Sequence, residues 1–136
     1  MKRIVLISFL LVINMIYGQD KNSTPEQVKP EDLAQAQLVA YNKGDIDAFL
    51  EPYAEDVEIY NFPNTLKSKG KEKIRPTYSS MFKKYPDLHC ELVNRIVKGN
   101  TVIDHERITL QKGAKTFEAI AIYVIKNNKI SKVYFN

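Results

Sequence analysis

Tyr41-Asn42-Lys43-Gly44-Asp45-Ile46-Asp47-Ala48-Phe49-Leu50, continued after two residues by Tyr53-Ala54-Glu55-Asp56-Val57-Glu58-Ile59-Tyr60, reads as a helix end, a glycine break, a second helix and a strand. Gly44 suits the position just past a helix, where a left-handed backbone costs glycine little. Asp45 can then cap the following helix by accepting from its first backbone amides. Ile46, Phe49, Leu50 and Tyr53 share one helical face, and Glu55-Asp56 closes that helix before the alternating strand of Val57 and Ile59.

Upstream, Pro30-Glu31-Asp32 is a helix opening, with proline tolerated in the first turn and acids near the positive end of the helix dipole. Leu33, Ala36 and Ala40, with Leu38 and Tyr41 beside them, supply its buried side. Downstream, Asn61-Phe62-Pro63-Asn64 and Ser68-Lys69-Gly70 interrupt regular structure. A third helix follows, because Ile74, Tyr78, Met81, Phe82 and Tyr85 recur at helical spacing; Pro76 lies near its start and Pro86 ends it. From Leu88 the chain reads as four strands in an antiparallel meander, turning at Lys98-Gly99-Asn100, Gln111-Lys112-Gly113 and Asn127-Asn128. Phe117 through Ile125 is almost continuously apolar, so both faces of that strand are expected to be covered. Helices would cover one face and a second subunit the other, with Phe117, Ala119, Ala121 and Tyr123 as the candidates for the outer side.

The chain has 136 residues, 44% of them apolar and 26% charged, which suits one domain with one core. Lys2 and Arg3 precede an apolar run from Ile4 to Ile16 that is short for a bilayer span, and a polar stretch follows. Residues 1–18 therefore read as a secretory signal peptide cut near Gly18, residues 19–29 as a polar linker, and 30–136 as the folded domain. The expected destination is the periplasm or the medium, without stable membrane insertion after cleavage. Losing Lys2 and Arg3, and no acid, takes the formal charge from +4 to +2. With lysines such as Lys67, Lys73 and Lys84 dispersed and no recognised motif, nothing points to nucleic acid. Cys90 is the only cysteine, so no internal disulfide can form, and it reads as a small core residue. His89 and His105 do not make a metal-site pattern, and no metal is expected.

Three amino-terminal helices, an intervening strand and a four-strand carboxyl-terminal sheet resemble the nuclear transport factor 2-like superfamily, in its SnoaL-like and steroid delta-isomerase-like branch. The carriers are Asn42-Lys43-Gly44-Asp45-Ile46-Asp47, Ala54-Glu55-Asp56-Val57, Gly70-Lys71-Glu72-Lys73-Ile74 and Val102-Ile103-Asp104-His105-Glu106, and the likeness spans about Glu31 to Asn136. The resemblance implies an α+β fold: a cone-shaped, curved, mixed but mainly antiparallel sheet packed against three helices. It also implies a small, often apolar molecule held between helices and concave sheet, and dimers formed through the sheet. Some such proteins are isomerases, dehydratases or polyketide cyclases and others only bind or assemble, so fold alone does not choose the function.

A three-residue loop at Lys98-Gly99-Asn100 would set Cys90 opposite Ile108, Leu92 opposite Glu106 and Asn94 opposite Asp104. Leu92, Asn94, Asp104, Glu106 and Ile108 then share one face, and period two groups Glu118 with Ile120, Ile122 and Val124 on the next strand. If these faces are concave, acids enter an apolar pocket that raises their pKa toward a useful range for proton transfer. Glu106 is the first general-base candidate, with Asp104 and Glu118 behind it; the alternative is that these acids pair with Arg95 and Arg107. His89, Glu91, Arg95, His105 and Arg107 fall on the opposite face, where Glu91 meets Arg107.

Ungapped comparison with the ketosteroid isomerases sets Gln37 at that family's helix-one tyrosine, Asn61 at its proton-shuttling aspartate and Ile122 at its protonated oxyanion-hole aspartate. All three depart, so the usual dienolate mechanism is unsupported. The sequence leads to an exported, dimeric, ligand-binding domain. Tyr41, Tyr60, Asn61, Leu92, Ile108, Ile120 and Ile122 would line the pocket and Asn94 would orient the ligand. If it is an enzyme, Glu106 moves a proton while Tyr60 or Asn94 polarises an oxygen, in isomerisation, cyclisation or dehydration without a cofactor. The remaining alternative is a dimeric interaction module using the outer sheet face.

Overall fold

A computed structural model describes residues 27–136, so the expected signal peptide and all but the end of the expected linker lie outside the described residues. Helix α1 spans Pro30–Lys43 and α2 Ile46–Leu50. Between them Gly44 adopts the left-handed conformation at φ 65°, its amide closing on Ala40 and Tyr41, and the Asp45 carboxylate accepts from the Ala48 amide. The expected break and cap are both present. The second helix is shorter than its periodicity suggested: Tyr53 already belongs to β1, Tyr53–Asn61. In α1 the buried side is Leu33, Ala34, Gln37, Leu38 and Ala40, whereas Ala36 is exposed.

The remaining elements are β2 Thr65–Lys69, α3 Lys71–Lys84, β3 His89–Lys98, β4 Thr101–Thr109, β5 Phe117–Lys126 and β6 Lys129–Phe135. They form one six-stranded sheet in the order β2-β1-β6-β5-β4-β3. Only β1 and β6 pair in parallel; β3 to β6 are the expected antiparallel meander. Strand β2 was not expected, since its polar, exposed residues carry no apolar alternation. It exists as an edge strand held by backbone pairing to β1. Asn127 and Asn128, both at positive φ, make the two-residue turn between β5 and β6.

The helices cover one sheet face, and the core lies between them. Leu33, Ala34, Phe49, Leu50, Val57, Ile74, Val102, Ala121, Tyr123, Ile130 and Val133 form its main cluster. A second cluster, Leu38, Leu88, Cys90 and Ile108, fills the β3 end, and Cys90 is buried there as expected. Each large aliphatic side chain buried this way contributes about 1.5–3 kcal/mol. The Asn42 side chain pins α1 to β3 by donating to the Cys90 carbonyl at 2.9 Å and accepting from its amide at 2.7 Å.

Two register expectations need correction. Cys90↔Ile108 and Leu92↔Glu106 pair as expected, but a bulge between Leu92 and Asn94 shifts the rest, so Asp104 faces Arg95 and Asn94 faces His105. The extra bulged residue reverses the pleat. On β5, Glu106 pairs with Ala119 and Val102 with Tyr123, which turns Phe117, Ala119, Ala121 and Tyr123 toward the helices. Glu118, Ile120, Ile122 and Val124 therefore occupy the outer face. Both the expected pocket side and the expected outer side of this strand are inverted.

Candidate functional site

Strand β4 alternates without interruption, and its buried members are Val102, Asp104, Glu106 and Ile108. Period two thus delivers two carboxylates to the helix-covered face, where a lone charge is costly. Their environments separate them. Asp104 has no exposed surface and receives a bidentate pair from Arg95, Nε to Oδ1 and Nη2 to Oδ2 both at 2.7 Å. Arg95 also donates to Gln35 Oε1 and to the Glu31 carbonyl, binding the pair to α1. Such planar double bonds are the strong form of carboxylate recognition.

Among the described residues Glu106 has no cation partner of its own. Its Oε1 accepts from the Tyr123 hydroxyl at 3.0 Å, the Tyr123 oxygen accepts from Gln37 Nε2 at 2.9 Å, and Gln37 Oε1 accepts from the Tyr53 hydroxyl at 3.3 Å. Burial is the main cause that pushes the Glu106 carboxyl up to about 7; the Tyr123 hydrogen bond opposes it, the Asp104 charge reinforces it, and Cys90 and Arg95 oppose it. Near neutral pH this group is both a competent acid and a competent base. Burial likewise raises Tyr53, Tyr123 and Tyr41, and holds Tyr78 at about 12, so these phenols are donors.

Glu106 lines a cavity of about 990 Å³ between the helices and the sheet. Its walls are largely aromatic and aliphatic: Tyr41, Phe49, Tyr53 and Tyr78 on one side, Ile59, Ile108, Phe117 and Phe135 on the other. Phe49 and Tyr78 pack at 4.5 Å between ring centres, which fixes the helix-side wall. Exposed residues of β2 and α3, among them Leu66, Lys67, Lys73 and Thr77, surround the open end. Tyr41 and Tyr78 line the same cavity, and their hydroxyls make no hydrogen bond among the described residues. Two free donors and one carboxyl thus share an apolar chamber, the arrangement needed to hold a carbonyl or hydroxyl compound and move a proton on it.

Of the residues singled out from sequence, Glu106, Tyr41, Asn61 and Ile108 line the cavity. Leu92 packs in the neighbouring apolar cluster, and Asp104 is locked with Arg95 away from the cavity. Glu118 is exposed and paired with His105 and Arg107, and Ile120 and Ile122 share its face. Asn94 is turned outward by the bulge. Tyr60 also points outward: it donates to Glu58 at 2.7 Å and stacks on Tyr134 at 4.9 Å, so it cannot polarise a ligand in the cavity. The Glu91–Arg107 pair is present at 3.1 Å. Gln37, Tyr53, Tyr78 and Tyr123 were missed. Gln37 did carry a signal, an uncharged amide four residues after Leu33 on an otherwise apolar face.

Among the described residues, no group of three or more His, Cys, Asp or Glu is placed to hold a metal ion, and no helix is long and apolar enough to cross a membrane. The SnoaL-like domain model matches residues 34–133. The chain is similar to an uncharacterized cystatin-fold protein of Novosphingobium aromaticivorans, 25% identical with a TM-score of 0.73, over 80% of this chain and 98% of that one. It is also similar to a SnoaL-like protein of unknown function from Burkholderia thailandensis, 22% identical, TM-score 0.67, over 79% and 92%. A nuclear transport factor 2-like protein of unknown function from Cytophaga hutchinsonii is 18% identical, TM-score 0.67, over 82% and 92%. No curated protein gives a significant match.

The raised Glu106 pKa has a stability consequence. The folded state keeps a proton that the unfolded chain releases near pH 4.5, so this contribution is complete below 4.5 and is lost as pH rises through about 7. The loss is on the order of 3 kcal/mol. Urea unfolding across pH should show this decline in the native chain and a flatter profile in Glu106→Gln; parallel profiles would refute the assignment. Tyr123→Phe removes a donor to the carboxylate, so the Glu106 titration followed by carboxyl-carbon NMR should move upward.

Proposed function

The chain belongs to the SnoaL-like domain family, and on that premise we propose that it holds a small, largely apolar molecule in the cone and transfers a proton on it without a cofactor. The observation that carries this reading is Glu106, buried at 6% exposure and facing a chamber that also presents the Tyr41 and Tyr78 hydroxyls. The ionised carboxylate takes a proton from carbon beside a carbonyl. Tyr41 or Tyr78 donates to the carbonyl oxygen as negative charge develops there, and the protonated Glu106 returns the proton at the same or a neighbouring position. Isomerisation and ring closure both fit this scheme. Dehydration requires only that the returned proton go to a departing hydroxyl.

Tyr123 positions the carboxyl and Gln37 positions Tyr123. Glu106→Gln keeps the size and one acceptor of the side chain while removing the titratable proton. Turnover of a cavity-bound carbonyl substrate should fall about 10²–10⁴-fold with Kd nearly unchanged. Unchanged turnover would remove Glu106 from the chemistry and leave a binding domain.

Dimerisation is part of the same proposal, through the sheet face that no helix covers among the described residues. Ile96, Ile103, Ile120, Ile122, Val124 and Tyr134 lie on that face, with Glu118, His105 and Arg107 beside them. An isologous pairing would bury this apolar strip and place ionic groups at its rim. Sedimentation at micromolar concentration should give twice the chain mass, and Ile122→Asp should give the monomer; a native chain that stays monomeric rejects the pairing.

Export completes the reading, supported by the basic start, the apolar run and the polar sequel. Amino-terminal sequencing of protein from the periplasm or medium should begin near Gln19. Recovery of the whole chain from membranes would refute cleavage.

A further inference from the structure

The charged side chains around the cavity are unevenly distributed. Among the described residues Glu106 is its only acid, and it is buried, while the exposed Lys67, Lys69 and Lys73 also border the cavity. Lys69 is neutralised by Glu58 at 3.0 Å. Of the nearby acids, Glu55 is committed to Lys71 at 2.9 Å and Asp47 to Arg75 at 2.6 Å, while Glu72 and Asp56 make no ion pair among the described residues and do not line the cavity. Lys67 and Lys73, one from β2 and one from α3, have no ion-pair partner among the described residues. The border of an apolar chamber therefore carries two lysines without an ion-pair partner among the described residues, contributed by different elements.

Resting on the cavity-binding reading above, we infer that the molecule taken up is an amphipathic carboxylate, its anionic end held between Lys67 and Lys73 and its apolar body running inward to Glu106. Orientation follows from the same distribution. A carboxylate driven to the floor would meet Glu106 and lose its hydration, whereas at the opening it keeps water and gains charge-assisted hydrogen bonds. The apolar walls accept the rest of the molecule, and a carbonyl or hydroxyl at its far end reaches Glu106. A neutral analogue keeps the apolar contacts and forfeits the ammonium contacts. A cationic analogue is repelled before entry.

The test compares two probes, dansyl-labelled undecanoate and its methyl ester, which differ in charge at one end. The native chain has no tryptophan, so Leu66→Trp at the exposed cavity rim supplies a single donor for energy transfer to a probe inside. In this background the carboxylate should bind at least about tenfold more tightly than the ester, the scale of a hydrogen bond to a charged group. That preference should shrink on raising salt, as expected for partly exposed charges. Lys67→Gln with Lys73→Gln should bring the carboxylate to parity with the ester while leaving ester affinity within about twofold. Both lysines are exposed, and circular dichroism checks that the double variant folds. Equal binding of the two probes, or a preference that survives the double substitution, overturns the carboxylate inference and leaves the cavity reading standing. Failure of both probes to accept energy from the tryptophan overturns the cavity reading and the inference together.

Discussion

The bidentate bond between Arg95 and Asp104 is the constraint around which the site is arranged. A carboxylate with no exposed surface on the inner face of a sheet is tolerable only when a cation meets it with good geometry. Arg95 also reaches the first half of α1, so the same guanidinium sets the spacing between helix and sheet. Removing one member of such a pair costs about 3–5 kcal/mol, because the other charge stays buried alone. By absorbing one acid, the pair leaves the next inward acid of β4 without a cation. Glu106 then has only dipoles and an apolar chamber, and Asp104 two residues away adds a negative charge. Adjacent inward positions of one strand thus become a structural ion pair and a carboxyl group whose pKa burial raises.

Much of the scaffold was legible because it depends on local chemistry. Gly44 and Asp45 mark a helix junction by backbone preference alone, and Pro30 and Pro86 bound the first and third helices. The four carboxyl-terminal strands were visible because their turns carry glycine or asparagine. Strand faces were less legible, since alternation sorts residues into two sets without saying which set is inside. The bulge after Leu92 has no sequence marker, yet it carries Arg95 inward and Asn94 outward. The connection from Leu110 to Thr116 settled the parity of β5, sending Tyr123 to the acid and Glu118 to solvent. Glu106 and Asp104 both lie inward because the bulge is in β3 and leaves the alternation of β4 intact.

The departures from the ketosteroid-isomerase pattern now have positions in space. Ile122, set opposite an oxyanion-hole acid by ungapped comparison, lies on the outer sheet face, so that correspondence does not hold in three dimensions. Asn61 does border the cavity, as a neutral amide. Gln37 stands inside a buried hydrogen-bonded row whose terminal member is the carboxyl group. The same architecture therefore presents an acid from β4 where the β1 position carries a neutral amide, and inherited fold does not carry inherited mechanism.

The row from Tyr53 through Gln37 and Tyr123 to Glu106 has a direction, and Gln37 sets it. Its carbonyl accepts from one phenol and its amide nitrogen donates to the other, so the amide can polarise the row but is a poor vehicle for moving a proton along it. Electrically, the interior end of Glu106 is insulated. Under the proposed proton transfer, a proton taken up by Glu106 would have no relay through this row, and would go back to the bound molecule or leave by the opening. On that reading, such a chamber would favour rearrangement with internal return of hydrogen over exchange with the surrounding water.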